Sequence, residues 1–229
     1  MSITLIIYPL RTTLHLLLLL PLIHACSGSE KKEPDQSPEL QTTAVETIVS
    51  PADTIVDANY SFEEAIAGTK APDEIIAQLE LLEVLYLSVD GEIHKGQILC
   101  NRNISADIRN LFTFMLDEGF VIEKAIPVVR YNWNDSLSMA DNNSYSFCFR
   151  DITYSKHAHG MAIDINPRFN PLRWKKVNRP NKPSGALSDT TVNGTLYPGH
   201  PVVKAFAEKG FYWGHGFSKY YDDHHFEKR

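Results

Sequence analysis

Two apolar, β-branched segments open the regular part of the chain, at residues 82–89 and 93–100. They flank Asp90 and Gly91, and these two residue types favour a tight turn between antiparallel strands. The pattern therefore predicts a β-hairpin.

Apolar residues return at helical spacing directly after the hairpin. They recur three and four positions apart, at Ile104, Ile108, Leu111, Phe112 and Met115. Ser105 or Asn103 can cap the start of such a helix, and Gly119 can close its end. We therefore predict one amphipathic helix in this part of the chain.

The remaining regular structure is predicted to be short. Strands are expected at residues 125–130, 146–150, 161–166, 211–213 and 225–227, and a helix at 201–209. Residues 167–199 lack apolar periodicity and are rich in Pro, Asn, Gly, Arg and Lys, so we predict a long loop that is functional or mobile. The predicted fold class is α+β.

The N-terminal residues have the layout of a secretory signal, because Arg11 precedes an apolar run at 14–23. The run holds about ten residues, fewer than the roughly twenty that a membrane-spanning helix needs. Export is therefore predicted.

Residues 23–26 resemble the lipobox of bacterial lipoproteins, in which the cysteine is lipidated and becomes the new N-terminus. Since Cys26 lies where the apolar run stops, we favour a lipoprotein signal, with Cys26 lipidated, over an ordinary cleaved signal peptide.

Composition divides the rest of the chain into a tether and a folded domain. Residues 27–60 are mainly Ser, Glu, Lys, Pro, Gln, Thr and Asp, a composition that buries too little apolar surface to offset the entropy of ordering. We predict a signal peptide with a lipobox at residues 1–26, a flexible tether at 27–70 and a single folded domain at 71–229.

Net charge limits the partners. The formal charge is −6, and there is no basic block that would meet a polyanion. We therefore exclude nucleic acid as a partner. Contact with a membrane is expected only through a lipid on Cys26, which would place the protein in the cell envelope.

Two further cysteines, Cys100 and Cys148, are too far apart in sequence to form a metal-binding knuckle. In an exported chain a disulfide between them would persist. Two small buried side chains are an equally good interpretation, and the sequence leaves both open.

The segment 155–164 carries the first candidate ligands. After Gly160 the chain alternates, so that Ala162 and Asp164 face away from the core side of a predicted strand. Asp164 then lies on the open face of a strand that begins beside His157. Imidazole and carboxylate are good zinc ligands, but a catalytic site needs a third protein ligand and an open position for water.

The end of the chain supplies candidates for that third ligand. A histidine with a carboxylate three residues before it provides a ligand and a general base, provided that the backbone bends between them. We therefore predict a bend at residues 222–224. Local physics does not decide between His224 and His225, or between Asp222 and Asp223.

The two segments together resemble a family of cell-wall peptidases. The pattern Ser-x-His-x-x-Gly-x-Ala-x-Asp at 155–164, followed by Asp-x-x-His-Phe at 222–226, is similar to zinc-dependent D-alanyl-D-alanine carboxypeptidases and L-alanyl-D-glutamate endopeptidases. The resemblance extends over roughly residues 79–227. Near its end, residues 213–216 resemble a Trp-Gly-Gly segment of the family, but His215 and Phe217 depart from its usual residues. It implies a small antiparallel sheet with flanking helices, in the fold of hedgehog proteins and D,D-peptidases.

The resemblance also implies the roles of individual residues. His157, Asp164 and His225 would bind one zinc ion per chain. Asp222 would act as the catalytic base, and Arg150 would lie near the substrate carbonyl and stabilise the developing oxyanion. The implied substrates are peptidoglycan stem peptides that contain a D-residue, and the bond that is cut stays open.

Two functions of different classes compete. The first is a zinc peptidase that acts on peptidoglycan stem peptides. The second is a binding module of the same fold that keeps the metal without hydrolysis, since fold alone does not define function. A binding module needs no base, and the chain retains an acid at Asp222, so we favour the enzyme.

Overall fold

The computed structural model describes residues 54–152 and 154–229. The predicted signal peptide, the lipobox with Cys26 and the tether up to residue 53 lie outside the described residues. Within the described ranges, no helix is both long and apolar enough to cross a membrane.

The described residues form a mixed α and β fold of small sheets and few helices. The helices are α1 (Phe62–Ala65), α2 (Asp73–Ile76), α3 (Arg102–Asp117), α4 (Asp135–Ala140) and α5 (Pro201–Glu208). The strands are β1 (Ile55–Val56), β2 (Leu79–Leu87), β3 (Ile93–Asn101), β4 (Lys124–Ala125), β5 (Asn143–Ser144), β6 (Ala162–Asp164), β7 (Leu172–Trp174), β8 (Phe211–Trp213), β9 (Tyr220–Asp222) and β10 (His225–Lys228).

The predicted hairpin is confirmed by the antiparallel pairing of β2 with β3. Leu82, Val84 and Tyr86 alternate along β2 and are all buried, as expected for a strand with one face on the core. The amphipathic helix α3 packs against this hairpin with its apolar positions buried. Hairpin and helix thus form the main hydrophobic core.

The predicted caps of α3 are only partly right. Gly119 does close the helix, with the positive φ of 64° that favours glycine there. The N-cap, however, is Asn101 rather than Ser105 or Asn103: the Asn101 side chain accepts a hydrogen bond of 3.0 Å from the Asn103 N–H. The helix begins before its first apolar position, and apolar periodicity cannot locate such a start.

A second sheet, in the order β6-β10-β8, carries the C-terminal residues. Phe226 on the central strand is fully buried, beside the equally buried Ile163 of β6. The strands predicted at residues 211–213 and 225–227 are confirmed, as is the helix that ends before Gly210.

Two predicted strands are wrong. Of residues 125–130, only Ala125 belongs to a strand, because Pro127 is followed by a short 3-10 helix. Residues 146–150 form no strand, since the backbone N–H groups of Phe147 and Cys148 bond to two separate partners, Leu99 and His157, instead of one ladder.

The tether was predicted too long, because residues 54–70 belong to the fold. Strand β1 pairs in parallel with β3, and the backbone N–H of Asp57 donates to Lys95 O at 2.9 Å. Helix α1 follows with a capping box between Ser61 and Glu64. Polar composition did not reveal this segment, since a sheet edge is held by backbone hydrogen bonds that any residue can make.

The long segment 167–199 contains strand β7, which pairs with β9 and was not predicted. The buried side chain of Asn170 connects the beginning of this segment to its end. It donates to Gly194 O and to Ile165 O, both at 3.0 Å, and accepts from the Leu196 N–H at 2.6 Å.

Cys100 and Cys148 are both buried and free, so the interpretation as two small core side chains is the right one.

Replacing Asn170 with alanine is expected to lower the free energy of unfolding by about 3 kcal/mol, because several buried backbone groups lose their partner at once. Denaturant unfolding followed by circular dichroism measures this change. Asn178→Ala, at an exposed position of the same segment, is the control and should change stability by less than about 0.5 kcal/mol. Equal stability of the two variants would contradict the role of Asn170.

Candidate functional site

Three side chains from separate elements converge at the edge of the second sheet. His157 lies on a 3-10 helix, Asp164 ends β6 and His225 begins β10. His157 Nε2 is 3.1 Å from Asp164 Oδ1 and 3.0 Å from His225 Nδ1, and the latter two atoms are 3.0 Å apart. All three residues are buried. The structure thus brings the three predicted metal ligands together, with one atom of each at the corner of a triangle.

Backbone pairing explains how distant parts of the sequence meet there. His225 is directly opposite Asp164 in the antiparallel ladder of β10 and β6, so both side chains lie on one face. Gly160, with a φ of 64°, reverses the chain between His157 and β6. A Cβ at Gly160 would lie 2.7 Å from the backbone nitrogen of Asn101, so the close approach to the hairpin also requires glycine.

Hydrogen bonds on the outer side of each ring orient the two histidines. His157 Nδ1 donates to the backbone oxygen of Ser146 at 2.6 Å, which leaves Nε2 as the atom that faces the triangle. His225 Nε2 is 3.3 Å from Glu227 Oε2, which leaves Nδ1 facing inward. Partners of this kind hold metal-binding histidines in the required tautomer. Sequence reasoning missed Glu227, although strand alternation places it on the same face as His225.

The triangle fits a divalent transition metal. Ligand atoms of a tetrahedral zinc site lie about 3.3 Å apart when each bond is about 2.0–2.1 Å, close to the separations here. Two imidazoles and a carboxylate suit zinc and related ions. Three protein ligands leave one position of a tetrahedron open, and catalytic sites need that position.

The charges of the site favour the replacement of protons by a metal. Burial would raise the pKa of Asp164, but the neighbouring His157 and His224 hold that pKa well below its usual range. Burial lowers the pKa of His225, but its hydrogen bonds to Asp164 and Glu227 outweigh this and raise the pKa to about 10. At neutral pH His225 therefore carries a proton that an incoming metal must displace.

The predicted bend at residues 222–224 is confirmed as a turn between β9 and β10. The turn separates the two aspartates. Asp223 is buried and held by Arg173 at 2.6 Å and by His215 Nδ1 at 2.7 Å. Asp222 instead lines the same cavity as the triangle. Asp222 is therefore the acid available for chemistry, and Asp223 is a structural ion pair.

His224 lies outside the triangle and contacts the candidate base. Its Nδ1 donates to the backbone oxygen of Asn170 at 2.7 Å, and its Nε2 is 2.9 Å from Asp222 Oδ1, an ion pair without hydrogen-bond geometry. The same Nε2 is 3.8 Å from Asp164 Oδ2. Burial lowers the pKa of His224, but the charges of Asp222 and Asp164 raise it to about 9. His225 is thus the ligand candidate, and His224 fixes Asp222.

Arg150 approaches the site from the segment that precedes His157 in the chain. Its Nη2 is 2.8 Å from Asp135 Oδ2 and 3.3 Å from the hydroxyl of Tyr145. The Tyr145 ring in turn packs on His157, with ring centroids 5.2 Å apart. The buried Nε of Arg150 has no partner among the described residues, so this donor remains available.

A cavity of about 880 Å³ connects these groups. It is lined by the predicted site residues His157, Asp164, His225, Asp222 and Arg150, and by aromatic and basic residues that include Trp174, Lys182, Phe217 and Tyr220. The segment 213–216 is not among the lining residues. His215, which departs from the family pattern, stacks on Trp213 with ring centroids 4.5 Å apart and hydrogen-bonds to Asp223. The histidine at this position therefore has a structural role.

The site thus combines a candidate metal centre with an acid and an arginine in one cavity. The sequence model of the family described as D-alanyl-D-alanine carboxypeptidase matches residues 150–228, about a third of the chain. This match confirms the resemblance to that peptidase family, and it contains every predicted site residue. No curated protein and no solved structure matches the chain.

Zn²⁺ binding is expected to release a proton from His225, so affinity should rise with pH up to about 10, the raised pKa of this histidine. Titration calorimetry at pH 8 in two buffers of different ionisation enthalpy measures the release. His225→Ala should abolish tight binding, whereas His159→Ala, at an exposed neighbour of the site, should bind normally. Binding that is unchanged in His225→Ala would refute the ligand set.

Proposed function

We propose that this protein is a zinc-dependent peptidase that hydrolyses peptidoglycan stem peptides. The observation that carries the proposal is one cavity that joins the His157, Asp164 and His225 triangle to Asp222 and Arg150. A metal-binding triangle alone would also suit a protein that binds zinc without hydrolysing a substrate. An acid and an arginine beside it are the groups that water-mediated cleavage of an amide requires.

Each side chain of the site has its own role in the proposed reaction. Zinc, when bound by His157, Asp164 and His225, polarises the scissile carbonyl and makes water a stronger nucleophile. Asp222 accepts the proton of the attacking water and then gives it to the leaving amine. Arg150 stabilises the oxygen on which negative charge develops.

Asp222 needs a fixed position for this role. His224 holds one carboxylate oxygen at 2.9 Å, and Asn170 holds His224 from the other side. Since Asn170 anchors the segment 167–199, this segment supports the base as well as the cavity wall. The general base would then be ordered before substrate arrives, which lowers the entropic cost of reaction.

The proposal includes the setting in which the protein works. We propose the fold of hedgehog proteins and D,D-peptidases for the domain, and export to the cell envelope with a lipid on Cys26. Stem peptides of the cell wall are the substrates available in that compartment. No nucleic acid takes part.

The competing function is a zinc-containing module that binds peptides without cleaving them. Such a module would need the triangle and the cavity but no base. The ion pair that orders Asp222 within the cavity favours the enzyme.

Asp222→Asn is expected to lower kcat at least about a hundredfold, because the amide cannot accept a proton. Mass spectrometry of muropeptides incubated with the protein, with and without a chelator, measures the products. New fragments should appear with the unmodified protein, and they should vanish with chelator and in the variant. Asp189→Asn, at an exposed position away from the site, should retain activity.

Intact muropeptides after incubation with zinc-loaded, folded protein would overturn the peptidase for these substrates. In that case the binding module would take its place. Activity that survives in Asp222→Asn would instead reject Asp222 as the base.

A further inference from the structure

A ladder of three chain segments places Tyr145 beside the candidate metal ligands. Tyr145 forms an antiparallel bridge to Asp164, in which the two residues exchange backbone hydrogen bonds of 3.1 and 2.9 Å. On its other side, Asp164 is opposite His225. Residues directly opposite each other in antiparallel pairs project to the same face. The side chain of Tyr145 therefore shares one face with the side chains of both ligands.

Packing holds the Tyr145 ring against the site. The ring lies on the imidazole of His157, with centroids 5.2 Å apart and planes 32° apart. Tyr145 is only 1% exposed, so its neighbours fix the ring in one position. The residue nevertheless lines the same cavity as the metal-binding triangle, Asp222 and Arg150. Its hydroxyl, next to Arg150, is therefore a buried polar group on the cavity wall.

The hydroxyl of Tyr145 has a proton to donate. A guanidinium group has donors but no acceptor, so in the 3.3 Å contact with Arg150 Nη2 the tyrosine oxygen accepts. No residue that the structure describes accepts a hydrogen bond from the hydroxyl in return. A phenol keeps its proton near neutral pH, and a buried donor without an acceptor is costly. An acceptor is therefore expected from a molecule that enters the cavity.

The neighbouring charge favours an acceptor that is negative. Arg150 is paired with Asp135 at 2.8 Å through Nη2, but its buried Nε has no partner among the described residues. Two unused donors, Arg150 Nε and the Tyr145 hydroxyl, thus lie close together beside the candidate metal centre. Donors fixed in this way stabilise an oxygen on which charge develops in the transition state.

We propose that Tyr145 is a further catalytic residue, whose hydroxyl donates a hydrogen bond to the scissile carbonyl oxygen as negative charge develops there. This inference rests on the proposed peptidase function and adds a second side-chain donor beside Arg150. The proton stays on the tyrosine oxygen throughout, so the transfer of protons remains with Asp222. Two structural roles compete with this one, namely support of the His157 ring and support of the Arg150 guanidinium.

Tyr145→Phe removes the hydroxyl and keeps the ring that lies on His157. The rate of fragment release from one purified muropeptide, followed by chromatography, compares the variant with wild type. Because the hydrogen bond strengthens only in the transition state, kcat should fall about a hundredfold while KM changes little. Tyr197→Phe loses the same hydroxyl at an exposed position outside the cavity lining, and it should behave as wild type.

Zinc affinity separates the catalytic role from support of His157. Titration calorimetry should give the same affinity for Zn²⁺ in Tyr145→Phe and in wild type, because the ring contact with His157 is kept. A loss of zinc affinity, with full activity restored by excess zinc, would assign the hydroxyl to the metal site and overturn the inference. A wild-type rate in zinc-saturated Tyr145→Phe would overturn it as well.

A second substitution separates direct donation from support of Arg150. In an Arg150→Met background, Tyr145→Phe should lower kcat by at least a further factor of about ten, because two independent donors contribute separately. If the double variant is no slower than Arg150→Met alone, the hydroxyl acts only by holding Arg150, and the inference is wrong.

A binding measurement distinguishes failure of this inference from failure of the proposed function. A phosphinate analogue of a dipeptide presents a tetrahedral anion to the zinc-loaded protein. Its affinity, measured by calorimetry, should be about tenfold weaker in Tyr145→Phe, the effect of losing a hydrogen bond to a charged group, and unchanged in Tyr197→Phe. If wild-type protein cleaves no muropeptide, the peptidase is rejected for these substrates, while the weaker affinity still supports the hydroxyl as an oxyanion donor. Equal affinity with and without the hydroxyl overturns the inference even if the peptidase stands.

Discussion

The pairing of strand β10 with strand β6 is the constraint on which the site depends. Its register places His225 opposite Asp164 and points the side chain of Phe226 towards the hydrophobic core. A slip of one residue would exchange the faces of His225 and Phe226, and would therefore destroy both the core contact and the ligand pair. The same residues thus make the fold and the site interdependent. The buried Phe226, which stacks on Phe206 of α5 at 3.9 Å, helps to hold this register.

A second set of contacts links the base to the long segment before α5. Asn170 holds His224, and His224 holds Asp222, so the position of the candidate base depends on the order of residues 167–199. Strand β7 of the same segment lies beside β9 and carries cavity-lining residues into place. One segment therefore supports the candidate base and forms part of the cavity wall. A change there would alter the position of Asp222 and the shape of the cavity together.

The C-terminal turn shows which residue roles can be inferred from the sequence and which require the structure. The chain presents two adjacent acids and two adjacent histidines, and local physics treats each pair as equivalent. The resemblance to the family selects Asp222 and His225, and the packing of Asp223 against Arg173 and His215 supplies the physical reason. That reason comes from residues distant in sequence, so it was not readable from the turn itself.

Elements with strong periodicity were predictable, and elements made by backbone pairing were not. The hairpin and helix α3 follow from long alternating and helical patterns of apolar residues. Strands β1 and β7 have only two and three residues, and each depends on a partner that the local sequence does not specify. Glu227 escaped notice, and the role of His224 stayed undecided, for a related reason, because their importance lies in which atoms they contact.

The central claim is that His157, Asp164 and His225 hold one metal ion beside Asp222. A crystal structure of the zinc-loaded protein, with anomalous scattering recorded above and below the zinc edge, tests this most directly. The account predicts one anomalous peak about 2.0–2.1 Å from His157 Nε2, Asp164 Oδ1 and His225 Nδ1. A peak elsewhere, or zinc that is bound by His224 in place of His225, would contradict it.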